Sequence, residues 1–333
     1  MTTNECFLVT GGLGCIGAET TKWLLRNTTG KIVVCGRDVN PQRVDRVFHD
    51  VDTTNLKVIA VDITNQELLS NTIEEEGISH VIHLAALQTP DCNQHRDLGM
   101  QINLGGTQNL IEAMKSHRSQ IKRFVFASSI AVYGPRAFYP EARVRVDASP
   151  HPVNVYGAWK LAGENITRIF SEETGIDSIS LRPGVLFGPG RDAGLTSTPT
   201  TALKSVALGL PYEIPFQNSQ DYLYAPDVGA AFGHATTEPF TGYAAFTLPS
   251  HTVDTSHFVS AITEAAEAIG IASQCNVTVG QQTVPFICDL EYETFHKAFP
   301  HVPHTQLNFA VQATLRTFQQ QSEKGWLRTE MIH

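Results

Sequence analysis

Short apolar, β-branched runs alternate through the first half of the chain with stretches whose apolar positions recur at helical spacing. Cys6–Thr10, Lys31–Cys35, Lys57–Val61, His80–Leu84, Arg123–Ala127 and Ser178–Arg182 read as strands. Helical periodicity covers Ile16–Arg26, Gln66–Glu76, Leu98–Ser116 and Val155–Glu173, the last stopped by Gly175. Strands separated by helices need crossover connections. The pattern therefore predicts an α/β fold, a doubly wound parallel Rossmann sheet with helices on both faces.

Beyond Phe187 the texture changes to GPGRDAGLTSTPTTALKSVALGLPYEIPF, richer in Pro, Gly and Thr. This predicts a smaller C-terminal substrate-binding lobe formed by residues 187–221 and 249–333. Residues 222–248 are expected to return to the dinucleotide-binding unit of residues 1–186. Ser256–Ile269 and Thr305–Gln321 read as helices of the smaller lobe.

Composition narrows the partners. The chain has 333 residues, a net charge of −9 and 17% charged residues, with no basic block. A nucleic-acid surface needs a concentrated basic face, so small molecules are the expected partners. The six cysteines are scattered without a CxxC pair and read as reduced core thiols. The N-terminus MTTNECFLVT lacks a signal pattern, and no apolar run approaches bilayer length. The expectation is a soluble cytoplasmic protein with no membrane partner.

Residues 7–17 spell FLVTGGLGCIG, an apolar strand running into glycines and then a helix. Gly11 suits a tight turn, Gly14 lets the backbone approach a pyrophosphate, and Gly17 lets the new helix pack on the strand. Cys15 and Ile16 open that helix, whose free N–H groups suit an anion. A dinucleotide is the predicted ligand. The second strand runs into Gly36-Arg37-Asp38. A carboxylate for ribose hydroxyls is replaced at the first position by Gly36, while Arg37 suits a 2′-phosphate. The expected cofactor is NADP, with NAD the alternative because Asp38 can still reach a ribose.

FVFASSIAVYG at residues 124–134 is a buried strand ending in hydroxyls, and Tyr156 and Lys160 follow at i and i+4 on one helix face. Two nearby positive charges, the Lys160 ammonium and a nicotinamide cation, would favour the phenolate. A three-unit shift corresponds to about 4 kcal/mol. Tyr156 is then a general acid/base, Ser129 orients the substrate oxygen, and Lys160 also holds the nicotinamide ribose.

These motifs, in this order, resemble the extended short-chain dehydrogenase/reductases, also called the NAD-dependent epimerase/dehydratase family, from about Phe7 to Asp227. The residues that carry the resemblance are TGGLGCIG, HLAA at His83–Ala86, Asn103 within INLGGTQNL, SSIAVYG, YGAWK and LRPGVLFGPG. The resemblance implies that Asp62 and Ile63 flank adenine and that Ala85 and Ala86 line the phosphates and ribose. It places Asn103 in the cofactor site and Pro183 and Leu186 against nicotinamide. It also implies a homodimer through the helices carrying Gly105–Ser116 and Tyr156–Ile169.

Departures from the family pattern narrow the chemistry. Dehydratase members carry an Asp-Glu pair where this chain has Ile130-Ala131. Nucleotide-sugar epimerases carry a pyrophosphate-clamping arginine before their Asp-Tyr, and Gln220 stands there. Arg191 reads as a substrate-binding candidate for a carboxylate or hydroxyls, or else as an ordinary structural arginine; Arg143 and Arg145 are weaker candidates of the same kind. His296, His301 and His304 are interrupted by prolines, and no metal is expected. The predicted function is reversible oxidation of a secondary alcohol on a small polar substrate: a sugar, sugar acid or hydroxy acid. A sugar epimerase with tightly held NAD is the alternative. A silent cofactor-binding regulatory protein is disfavoured by the intact Ser129, Tyr156 and Lys160.

Overall fold

The computed structural model describes residues 5–284 and 286–332. Its strands are β1 (Cys6–Thr10), β2 (Lys31–Gly36), β3 (Leu56–Ala60), β4 (His80–His83), β5 (Arg123–Ala127), β6 (Asp177–Arg182), β7 (Val185–Phe187), β8 (Tyr212–Phe216), β9 (Ser219–Tyr224), β10 (Tyr243–Thr247), β11 (His251–Asp254) and β12 (Val277–Gln282). Seven of them form one parallel sheet in the order β10-β6-β5-β4-β1-β2-β3. β1 and β5 are buried along their whole length. Their near-continuous apolar sequence follows from having both sheet faces covered. Phe7 and Val9 enter one core and Leu8 the other, as the two-residue strand period requires.

The predicted doubly wound sheet is thus the one observed. Local signals explain the helix ends well. The Asn154 side chain accepts the Gly157 N–H at 2.9 Å to start the helix Val155–Thr174, and Gly175 ends it at φ +73°. The single helix predicted from Leu98 to Ser116 is instead Arg96–Met100, a π-helical turn Gln101–Gly105, and Gly106–Ser116. Widened turns of this kind concentrate at functional sites, and this one carries Asn103.

The smaller part has two short sheets, β11-β9-β7 and β12-β8. Helices Thr198–Ala207, Thr255–Ala268 and Leu307–Glu323 pack on them around Phe187, Phe216, Tyr222, Phe258 and Phe318. Between β9 and β11 the chain returns to the large sheet. Helix Ala225–Thr237 packs on helix Cys15–Asn27, and β10 pairs with β6. Gly229 and Gly233 permit this contact, since a Cβ on them would lie 2.5 Å from Glu19 and 2.0 Å from Trp23. On β9 Tyr222 faces the smaller core and Leu223 the larger one, so this strand stands between the two.

Gly157 tests the seating of the long helix. An added Cβ there would lie 2.1 Å from the Ala131 carbonyl oxygen, a backbone atom with little freedom to move. Gly157→Ala is expected to destabilise the fold by about 1–3 kcal/mol, read as a lower urea midpoint. An unchanged midpoint would show that the helix is not held this closely.

Candidate active site

Strand order reverses between β1 and β4, and the loops leaving their C-terminal ends part there. A cleft of about 750 Å³ opens at this point. Gly11 sits in its floor at φ +69°, and its carbonyl accepts the Gly14 N–H at 2.9 Å. A Cβ on Gly17 would lie 2.3 Å from that same carbonyl oxygen, so the helix and turn touch as closely as backbone allows. Gly14 caps helix Cys15–Asn27 without a side-chain acceptor, and the first turn holds no acidic residue. The helix N-terminus, with Cys15 and Ile16 lining the cleft, suits a pyrophosphate. The Cys15 thiol faces the Pro189 carbonyl at 3.5 Å, and burial pushes its pKa up to about 12.

Gly36, Arg37, Asp38, Asp62 and Ile63 line the end of the cleft beside β2 and β3. Asp62 accepts hydrogen bonds from the Thr64 N–H and hydroxyl at 2.9 and 2.8 Å, which fixes that turn. A second guanidinium, Arg43, also lines this end and donates to the Leu13 carbonyl at 3.0 Å. Sequence reading missed it. The Asn40-Pro41 pair, a side-chain cap followed by a helix-starting proline, was the available signal for its helix, Pro41–Phe48.

Ala85 and Ala86 form the opposite wall. The Ala85 N–H donates to Thr10 Oγ1 at 3.2 Å, and Thr10 continues through His83 to Thr107 at 2.7 and 3.0 Å. Burial, with Lys160 nearby, lowers His83 to about 3, so its imidazole is neutral. Asn103 is not on the cleft wall. It is buried behind it, accepting the Leu87 N–H at 2.7 Å and donating to the Leu87 carbonyl at 3.0 Å. The residue shapes the wall through Leu87, because both ends of its amide are already engaged.

Ser129, Tyr156 and Lys160 meet in this cleft, with Pro183, Leu186 and Arg191 lining it alongside them. Burial raises the Tyr156 phenol, opposed by a hydrogen bond with Ser129 and by the Arg191 charge. The expected direct lowering by Lys160 is not the controlling influence. Lys160 Nζ lies 5.7 Å from the Tyr156 ring centre and donates to the Ala127 carbonyl at 2.6 Å. Burial brings Lys160 down to about 8. A lysine so placed is close to losing its charge at physiological pH.

One further turn along the same helix, Glu164 forms a two-pronged pair with Arg182, Nε–Oε1 and Nη2–Oε2 both at 2.7 Å. Both side chains are nearly inaccessible, 5% and 7% exposed. Ser128 donates to the same carboxylate. Arg182 also reaches the Tyr133 hydroxyl at 2.6 Å and the Val146 carbonyl at 2.7 Å. This network joins the residue before Ser129, the residue before Pro183 and the Tyr156 helix. Sequence reading missed it, since a charge in a strand and a charge on a helix carry no mark of their pairing.

The remaining candidates lie outside the cleft. Arg143 pairs with Glu293 and lies 4.8 Å from the Tyr292 ring centre, and Arg145 pairs with Asp147. His304 stacks on His251, and His301 meets Glu238 at 3.2 Å. Among the described residues, no group of three or more His, Cys, Asp or Glu side chains is arranged to hold a metal ion. No described helix is long and apolar enough to cross a membrane.

Residues 7–246 match the sequence profile of the NAD dependent epimerase/dehydratase family. The chain belongs to this family. Members similar to it include the D-erythronate dehydrogenase of Cupriavidus necator, 29% identical over 61% of this chain and 60% of that protein. The UDP-glucose 4-epimerase of Schizosaccharomyces pombe is 34% identical over 61% of this chain and 56% of that protein. The chain thus spans somewhat over half the length of these two relatives. Among solved structures, the Thermotoga maritima UDP-glucose 4-epimerase with UDP-glucose superposes with a TM-score of 0.81 at 20% identity, over 95% of this chain and 99% of that one. A monomeric L-threonine 3-dehydrogenase from a metagenome gives 0.79 at 20% identity, over 94% and 99%. At such identities the likeness is one of fold.

Beside this cleft, Glu164→Gln removes the charge that neutralises a buried guanidinium. It is expected to destabilise the protein by about 3–5 kcal/mol, measured by urea unfolding. A loss below about 1 kcal/mol would mean that the pair behaves like an exposed one.

Proposed function

We propose that this protein is an NAD(P)-dependent oxidoreductase that interconverts a secondary alcohol and a ketone on a small polar substrate: a sugar, sugar acid or hydroxy acid. The observation that carries the reading is that Ser129, Tyr156 and Lys160 line one end of the same cleft as the glycine turn, with Ser129 near enough to oppose the rise of the Tyr156 phenol. The turn and the helix N-terminus fit a dinucleotide: Gly11 and Gly14 admit backbone approach, and the Ala85–Ala86 wall faces them. Bound there, NAD(P) supplies the site that takes or gives a hydride at the nicotinamide C4.

In the oxidative direction Tyr156 accepts the substrate hydroxyl proton while Ser129 holds that oxygen and steadies its growing charge. In the reductive direction the protonated phenol, favoured by burial, gives the proton back. Lys160 keeps positive charge near the reacting oxygen. Pro183 and Leu186 provide an apolar wall at this end of the cleft. Sugar epimerisation with tightly held NAD is the second reading, supported by the 34% identity to the S. pombe UDP-glucose 4-epimerase. Gln220, where nucleotide-sugar epimerases carry a clamping arginine, is fully buried and off the cleft wall, so it offers no charge to a diphosphate.

The cofactor reading favours NADP. Arg37 and Arg43 both line the β2 end of the cleft, and neither meets a carboxylate among the described residues. Two guanidiniums suit a 2′-phosphate better than a bare ribose.

Tyr156→Phe is expected to lower turnover roughly 10²- to 10⁴-fold with cofactor binding retained, followed by reduced-nicotinamide absorbance. Full activity would sink the mechanism. For ketone reduction, kcat/KM is expected to be level at neutral pH and to fall as pH rises through about 8, where Lys160 loses its charge. A profile flat to strongly alkaline pH would remove Lys160 from this role. Arg37→Ala is expected to weaken NADP binding ~10-fold or more and to leave NAD binding little changed; equal effects on both would reverse the cofactor assignment.

A further inference from the structure

Arg191, like Arg37 and Arg43 elsewhere along the cleft, meets no carboxylate among the described residues, and unlike them it carries a buried, unpartnered Nε–H. Arg136 and Arg182 each meet a carboxylate. Among the described residues Arg191 meets only neutral oxygens, Thr196 Oγ1 at 2.5 Å and Gln88 Oε1 at 3.4 Å. Its Nε–H is buried and finds no acceptor among the described residues. The neighbouring Asp192 is engaged by Lys204 at 2.5 Å and does not neutralise it. Leaving a guanidinium N–H without a partner in a buried place costs free energy that a bound anion would recover.

The cleft is also unevenly charged. Among the described residues that line it, the only carboxylates are Asp38 and Asp62, both at the β2–β3 end. The Tyr156 end carries Lys160 and Arg191, with Gln88, Thr89, Asn93 and Thr196 as uncharged polar neighbours. Arg191 lines the cleft between Cys15 and Tyr156, and its charge is felt at both. A planar guanidinium set among neutral hydrogen-bonding groups matches a single negative charge on a planar acceptor.

We infer that Arg191, supported by Gln88 and Thr196, is the anchor of a carboxylate-binding subsite, and that the substrate is a hydroxy acid or the corresponding oxo acid. This deepens the oxidoreductase reading above and rests on it for the orientation of the substrate. The carboxylate docks on the guanidinium and leaves the carbinol directed to Ser129 and Tyr156. Amide and hydroxyl groups along the wall then receive the remaining hydroxyls.

The test uses the purified full chain with NAD⁺ and NADP⁺ and a panel of three- to six-carbon aldonates, the polyols of equal length and the matching sugar phosphates. Binding is followed by calorimetry and turnover by absorbance. Aldonates are expected to bind and polyols to bind poorly. Arg191→Gln is expected to weaken aldonate binding ~10-fold or more while cofactor affinity stays within ~2-fold; Arg191→Lys, which keeps the charge, should retain part of it. Circular dichroism and the unfolding midpoint of both variants separate this loss from misfolding. Polyols bound as well as aldonates, tighter binding of phosphates, no binding of any acid, or a parallel fall in cofactor affinity would each overturn the inference; the last would assign Arg191 to the pyrophosphate. Arginine-dependent aldonate binding without hydride transfer would keep the subsite and refute the oxidoreductase reading. Turnover of polyols without preference for acids would do the reverse.

Discussion

The Glu164–Arg182 pair is the constraint on which the cleft depends. Removing two charges from water is costly, and a mutual attraction offsets that cost only with good geometry and with the remaining hydrogen-bonding positions filled. Here both prongs are 2.7 Å long, and Ser128, Tyr133 and the Val146 carbonyl occupy other positions. A rotation of the Tyr156 helix or a slide of β6 would break several charged contacts together. The pair therefore converts a helix and two strand ends into one rigid unit. Ser129, Tyr156, Lys160 and Pro183 take their relative positions from it.

A second organising constraint is the reversal of strand order. It lets a glycine turn on one side face the Ala85 wall on the other without any side chain between them. The Thr10–His83–Thr107 chain holds that wall in place with a histidine that burial keeps neutral. Fixed donors and acceptors thus stand at one end of the cleft and mobile protons at the other.

The large sheet was legible because its strands are buried on both faces and therefore read as plain apolar runs. The glycine turn, Ser129, Tyr156 and Lys160 were legible because each lies next to a strand end or on a helix face that the pattern already fixed. Other elements had no such mark. Helix Thr198–Ala207 has a proline in its first turn but β-branched threonines around it, and it forms because Ala202, Leu203 and Val206 fill the smaller core. The π-helical turn at Gln101–Gly105 depends on Asn103 reaching Leu87, a tertiary contact invisible to periodicity. Arg43 and Arg182 act across gaps in sequence, so their roles appear only when distant segments are brought together.

The return of the chain through helix Ala225–Thr237 and β10 bears on how the molecule is made. Arg123, on β5, donates to the carbonyls of Ala235, Glu238 and Phe240, more than a hundred residues later. During synthesis, β6 must wait as an exposed edge until residue 247 has emerged, and Gly229 and Gly233 must find Glu19 and Trp23 across most of the nascent chain. Assembly in such an order is slow, and unpaired strand edges invite association with other chains. The long-range closure that stiffens the finished cleft is thus also the stage at which the growing polypeptide most needs protection.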